Sequence, residues 1–83
     1  MKIYKYPVHC GLAAPITLQG SILDIQVQDG APLLWAEHND QAPNRTILLR
    51  ALFTGEEAPP DQNDYNYFKT VQIKNLVVHF YTK

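Results

Sequence analysis

The stretch that decides the fold is Ile22 to His38, ILDIQVQDGAPLLWAEH. Leu23, Ile25 and Val27 alternate with Asp24, Gln26 and Gln28, the period of two that marks a half-covered β-strand. Asp29-Gly30 follows. An Asp-Gly pair between two such runs signals a two-residue hairpin, because both central residues of the tight turn need positive φ. The apolar run after it holds the only tryptophan, Trp35. The stretch therefore predicts a β-hairpin, which fixes a fold class but not a function.

The rest of the chain extends this pattern. Tyr67 to Lys74 and Leu76 to Thr82 read as a second hairpin turning at Lys74-Asn75. Lys2 to Val8 is rich in tyrosine and β-formers and reads as a first strand, ended at or just after Pro7. His9 to Pro15 is a connection, and Ile16-Thr17-Leu18 a short strand or edge piece. Asn39 to Asn44 is a turn by composition. Glu56 to Asn66, EEAPPDQNDYN, is a surface loop with Pro59-Pro60 barring regular structure at its centre. The segment Asn44 to Gly55 reads two ways. As a helix it has Asn44 as N-cap and Gly55 just past its end. As a strand it puts Ile47, Leu49, Ala51 and Phe53 on one face and Leu48, Arg50, Leu52 and Thr54 on the other. Its apolar residues are nearly continuous, so periodicity does not choose.

Composition bounds the class. Eighty-three residues, 46% of them hydrophobic, make one small folded domain. Such a chain buries only about 60–65% of its unfolded surface, so its stability is modest. Cys10 is the single cysteine, which excludes an intrachain disulfide and suits a reducing compartment. Seven basic and eight acidic residues nearly cancel, which argues against nucleic acid as partner. No apolar run approaches the roughly 20 residues of a membrane-spanning helix. Lys5 and His9 interrupt the apolar character of the N-terminus, so no signal peptide is expected.

Chemistry-bearing patterns are sparse. His9, Cys10, His38 and His79 show no metal-ligand spacing, and no metal is expected. Ser21, the only serine, follows Gly20 and reads as a turn residue. His38-Asn39-Asp40 sets a carboxylate near an imidazole, as a solvated strand end also would. Glu56, Glu57, Asp61 and Asp64 lie in the Pro-rich loop, a poor frame for paired-carboxylate chemistry. With four glycines in all and no phosphate-cradle motif, a Gly-rich nucleotide-binding loop is excluded. No catalytic residue, no cofactor and no enzymatic activity are expected.

Binding remains. Tyr4, Tyr6, Tyr65, Tyr67 and Tyr81 cluster towards the two chain ends. If the first and last strands pair, these rings share a face with Lys5, Lys69, Lys74 and Arg50 nearby. Such a set can stack a base and hold a phosphate, anchor a protein interface, or simply serve the sheet. Arg50, mid-strand between Leu48 and Leu52, either finds a carboxylate partner or aims at an anion. The candidate ligand or partner residues are Arg50, Lys5, Lys69, Tyr4, Tyr6, Tyr67 and Tyr81.

Four pieces, in order and spacing, carry a resemblance. They are IYKY (Ile3–Tyr6), the central hairpin, RTILLRALFTG (Arg45–Gly55), and YFKTVQ followed by LVVHFY (Tyr67–Gln72, Leu76–Tyr81). Together they resemble a family of small, functionally uncharacterised proteins encoded by bacteriophages and prophages. Glu56 stands where that family often has a His after Thr-Gly, and the loop from Asn39 to Arg45 is variable. The resemblance carries no functional residue across. It tips Arg45 to Thr54 towards strand, and it implies a phage accessory protein acting in the host cytoplasm. The expected fold is mainly β, a small antiparallel sheet or sandwich of five to six strands with one short helical turn in the Pro-rich loop. So small a sheet leaves edges or a face open, so a homo-oligomer is expected. The expected function is non-enzymatic binding of a host protein, in a counter-defence role. The alternatives are an oligomer that sequesters an anionic nucleotide-type small ligand, and a virion or assembly component.

Overall fold

Asp29 and Gly30 take φ of 53° and 78°, the paired positive values that close a tight hairpin between strands of right-handed twist. In the computed structural model, which describes residues 1–83, that hairpin joins β3 (Ile22–Gln28) to β4 (Ala31–His38). The other strands are β1 (Lys2–Pro7), β2 (Ala14–Leu18), β5 (Arg45–Phe53), β6 (Asn66–Ile73) and β7 (Leu76–Thr82), with a 3-10 turn at Gln62–Asp64. The protein is mainly β, in two antiparallel sheets ordered β1-β4-β3 and β2-β5-β7-β6. Seven strands form rather than five or six, because both undecided segments, around Ile16–Leu18 and Arg45–Thr54, are strands. The helical turn falls in the Pro-rich loop. No helix is long and apolar enough to cross a membrane.

One core cluster is built from both sheets, which makes the pair a sandwich. Ile25, Leu34 and Ala36 come from the three-stranded sheet; Leu18, Ile47, Leu49, Ala51, Val71, Val78 and Phe80 come from the four-stranded one. Phe80, Leu18, Ile25, Leu34, Leu49 and Val78 are almost wholly buried. Each stabilises the fold by about 1.5–3 kcal/mol through the apolar area it removes from water.

Two bulges set which side chains reach this core. In β3, Ile22 pairs with Ala36 but Asp24 pairs with Trp35, so Leu23 is an extra residue. The inserted residue reverses the alternation: Ile22 packs against the core and Leu23 is left 46% exposed. The regular alternation that places Leu23 with Ile25 and Val27 is thereby corrected. In β6 the register shifts between Tyr67 and Lys69, with Tyr67 opposite Tyr81 and Lys69 opposite Phe80. Lys69 is thus turned to the inner side at the sheet edge, where its Nζ meets Asp24 Oδ1 at 3.0 Å and ties β6 to β3.

The Arg50 side of β5 is also covered. The connection after β1 and the Pro-rich loop both bond to Arg50 on the outer side of the four-stranded sheet. Leu52, on the same side, is only 6% exposed. This is why β5 is apolar on both faces.

Candidate functional site

Arg50 is held on every side. Its guanidinium is buried, with Nε donating to Leu12 O at 2.9 Å and Nη1 to Gln62 Oε1 at 3.2 Å. Nη2 lies 2.9 Å from Asp61 Oδ1, and the group stacks 3.8 Å from the centroid of Tyr65. A strand supplies the cation, and two loops supply a carbonyl, a carboxylate, an amide and an aromatic face. The arrangement pins the Pro-rich loop to the sheet. Tyr65, one of the five tyrosines, is itself buried there.

The remaining candidates do not gather on one face. β1 pairs with β4, whereas β7 lies between β5 and β6 in the other sheet. The pairing of first and last strands is therefore corrected, and it separates Tyr4, Lys5 and Tyr6 from Tyr67, Lys69 and Tyr81. A strand pattern specifies faces but not partners, and β4 wins β1 through a six-residue antiparallel register. Tyr6 packs against the core. Tyr4 stacks on His38 at 4.3 Å between ring centroids. Tyr67 and Tyr81 do meet, edge to face at 5.7 Å, on the outer side of the four-stranded sheet.

Two histidines are organised. His79 has Thr54 Oγ1 2.8 Å from Nε2 and Thr70 Oγ1 2.9 Å from Nδ1, and Tyr67 Oη lies 2.7 Å from Thr70 Oγ1. The chain Thr54–His79–Thr70–Tyr67 runs from the turn just past β5 across β7 to β6 and fixes an exposed tyrosine. His38 donates from Nε2 to Asp40 Oδ1 at 2.7 Å, while Nδ1 is buried without a partner. A shallow cavity of about 190 Å³ lies beside it, lined by Met1, Lys2, Asn39, Asp40 and Gln41. No three His, Cys, Asp or Glu side chains converge as a metal-binding group. Cys10 is an exposed residue whose thiol pKa is raised by partial burial of the sulfur.

The surface that the sequence does not reveal is the outer face of the three-stranded sheet. Leu34 and Ala36 of β4 enter the core, so Leu33, Trp35 and Glu37 point the other way. Trp35 sits mid-strand in the central strand, with Lys5 of β1 and Asp24 of β3 directly opposite it on either side. The indole is half-buried, and Lys5 Nζ lies 5.9 Å from its ring centroid. Ile3 is 58% exposed on the same side, with Leu33 half-buried and Pro7 exposed. Lys5, Glu37, Gln26 and Gln28 form its polar part. In the opposite sheet loops cover Arg50 and Leu52 of β5, while Tyr67 and Val77 stay exposed on its outer side; here a tryptophan at the centre of the sheet is left partly in water. The available signal was that β4 is apolar at both parities, from Leu33 through Ala36.

The pattern of the family described as a domain of unknown function (DUF7352) matches residues 1–83. The chain belongs to that family. No curated protein and no solved structure matches it. Membership in DUF7352 brings no assigned chemistry, so the functional reading rests on geometry. The residues pinned in place (Arg50 with its loops, and His79 with its threonines) satisfy one another. Those around Trp35 leave apolar area uncovered.

Proposed function

We propose that this DUF7352 domain is a non-enzymatic binding module that docks a protein partner on the outer face of its three-stranded sheet. The observation that carries the reading is Trp35, partly exposed at the centre of a face whose sheet has no loop bonded over it in the manner of Arg50's. Tryptophan at the middle of a patch, ringed by polar groups that exclude water, is the usual anatomy of an interface hot spot. Ile3 and Leu33 extend the apolar centre, and Lys5, Glu37 and Gln26 supply the rim. The resemblance to phage-encoded proteins supplies the setting: a host factor in the bacterial cytoplasm, bound to blunt a defence.

The test is capture from bacterial lysate by wild-type protein and by Trp35→Ala, after both are shown to melt cooperatively. A partner retained by wild type and lost from the variant supports the reading. Identical recoveries from the two baits refute it. Sedimentation of the purified protein separates a foreign partner from a second copy: a dimer that Trp35→Ala dissociates would make the partner the chain itself.

A further inference from the structure

The β6–β7 half of the four-stranded sheet carries a second surface, on its outer side. Val78 and Phe80 of β7 and Val71 of β6 enter the core, so Val77, His79 and Tyr81 point outward, with Gln72, Thr70 and Tyr67 of β6 opposite them. Loops cover Arg50 and Leu52 of the neighbouring β5 but leave this half open: Tyr67 is 60% exposed, and Thr70, Gln72 and Val77 are exposed too. Tyr67 is nonetheless held. Its Oη lies 2.7 Å from Thr70 Oγ1, three residues further along the same strand, so the ring lies down over β6 and turns one face to water. Tyr81 stands at 76° to it, with 5.7 Å between centroids, a wall beside that floor. Fixing an exposed side chain costs rotamer entropy and adds nothing to the core. It does lower the cost of receiving a ligand, because the ring is already ordered.

The relay that holds it runs on from Thr70 Oγ1 to His79 Nδ1 at 2.9 Å, and from His79 Nε2 to Thr54 Oγ1 at 2.8 Å. Three hydroxyls and a neutral imidazole carry four polar hydrogens between them, one more than the three bonds use. When the donors run from Thr54 towards Tyr67, the Tyr67 O–H is left free to donate. When they run the other way, Tyr67 donates inward and its oxygen keeps a lone pair for an incoming hydroxyl. Rotation of the hydroxyls and a change of tautomer interconvert the two, so Tyr67 serves a group that accepts or one that donates. A sugar hydroxyl does both. The rest of the patch agrees, since none of its six side chains is a carboxylate, an ammonium or a guanidinium. Arg50, opposite Tyr81, is buried and already bonded to Asp61, Gln62 and Leu12. A nucleic-acid strand needs cations along its backbone, and a charged peptide needs a counter-charge. A neutral polyol needs neither, and the negative face of an aromatic ring suits the partly positive C–H groups on the flat side of a pyranose.

We infer that the outer β6–β7 face is a binding site for an uncharged carbohydrate. One pyranose ring stacks on Tyr67 against Tyr81, and its hydroxyls exchange hydrogen bonds with the Tyr67 end of the relay. Thr70 and His79 are positioning residues, which act through Tyr67. The site shares no residue with the Trp35 face, so each stands or falls alone.

The test is a titration followed by ¹⁵N-resolved NMR of the whole chain, with cellohexaose, maltohexaose and lactose as neutral probes at up to millimolar concentration. An oligogalacturonate and a single-stranded oligothymidylate serve as charged comparisons. At least one neutral sugar is expected to shift signals confined to Tyr67, Thr70, His79 and Tyr81. Tyr67→Ala is expected to weaken that sugar at least about tenfold by removing the stacking floor. Thr70→Val is expected to weaken it severalfold, by cutting the relay while the ring remains. Trp35→Ala is expected to bind it as wild type does. Tyr67 and Thr70 are exposed, so their replacement leaves the core intact, and dispersed spectra show that both variants remain folded. Any of four results overturns the proposal: no localised shifts with any of the three sugars, shifts centred elsewhere, equal affinity in Tyr67→Ala, or tighter binding of either charged comparison. Equal affinity in Thr70→Val would overturn the role given to the relay.

Discussion

Replacing Arg50 is the sharpest probe of how the Pro-rich loop is held. In Arg50→Ala the strand keeps its backbone ladder but loses a buried guanidinium that is only 3% exposed. The bond from Nε to Leu12 O lies inside the roof, and a hydrogen bond from a charged group contributes about 1.5–3 kcal/mol. The ion pair with Asp61 contributes less, about 0–1 kcal/mol, because that carboxylate is half exposed and remains solvated after the change. Loss of the stacking contact with Tyr65 and of the Gln62 bond adds roughly 1 kcal/mol between them. The total is about 2.5–5 kcal/mol, a large part of the stability of an 83-residue domain. For a domain of this size that lowers Tm by about 10–40 °C. Arg50→Lys should recover little, since one ammonium cannot reach a carbonyl, an amide and a carboxylate lying in three directions. The assay is thermal unfolding followed by Trp35 fluorescence, with amide exchange of residues 54–65 read in parallel. A Tm loss under about 4 °C, or a loop whose exchange is unchanged, would refute the account of Arg50 as the loop's anchor.

Three further outcomes follow from local geometry. A Cβ on Gly20 would lie 2.1 Å from Glu37 O, a backbone atom that cannot swing aside, so Gly20→Ala should cost about 3 kcal/mol and lower Tm accordingly in a thermal melt. Asp24 accepts from Gln26 and from Lys69, and these hold its carboxyl below the usual value of 3.8. Its ionised form therefore favours the folded state at any pH above about 4, and that contribution is lost as pH falls through the lowered folded value. Asp24→Asn should thus be less stable than wild type at pH 7, with the difference vanishing in melts well below pH 3.8. The Cys10 thiol, its pKa raised by burial, should alkylate more slowly than a free cysteine at pH 8; an equal rate in the folded protein would contradict the burial.

How far the fold was legible depended on what local sequence encodes. Asp29-Gly30 specified its hairpin because the turn needs positive φ at both positions, and few residue pairs allow it. β5 was ambiguous because it is covered on both faces. Leu49 and Ala51 meet the other sheet, while Arg50 and Leu52 lie under the loops, so the apolar run loses its period. The β3 bulge was invisible, since an inserted Leu23 looks like one more apolar residue in an alternating strand. The partner of β1 was equally hidden, because strand pairing is a long-range choice among compatible faces. At the level of single residues, Arg50 could be read as needing a partner, but not that Asp61, Gln62 and Leu12 would all converge on it. The Trp35 face went unread because β4 carries apolar residues at both parities; the register running back from the Asp29-Gly30 turn, which pairs Leu34 with Ile25 and Trp35 with Asp24, decides which set faces water.

The central claim is that the outer face of the three-stranded sheet is the contact surface. Side-chain footprinting of the captured complex, compared with the free protein, tests it most directly, since it distinguishes the two faces of each strand. The account predicts that Ile3, Leu33 and Trp35 become protected on complex formation while Tyr67 and Val77, on the other sheet, keep their reactivity. Protection of Tyr67 and Tyr81 with Trp35 unchanged would contradict it.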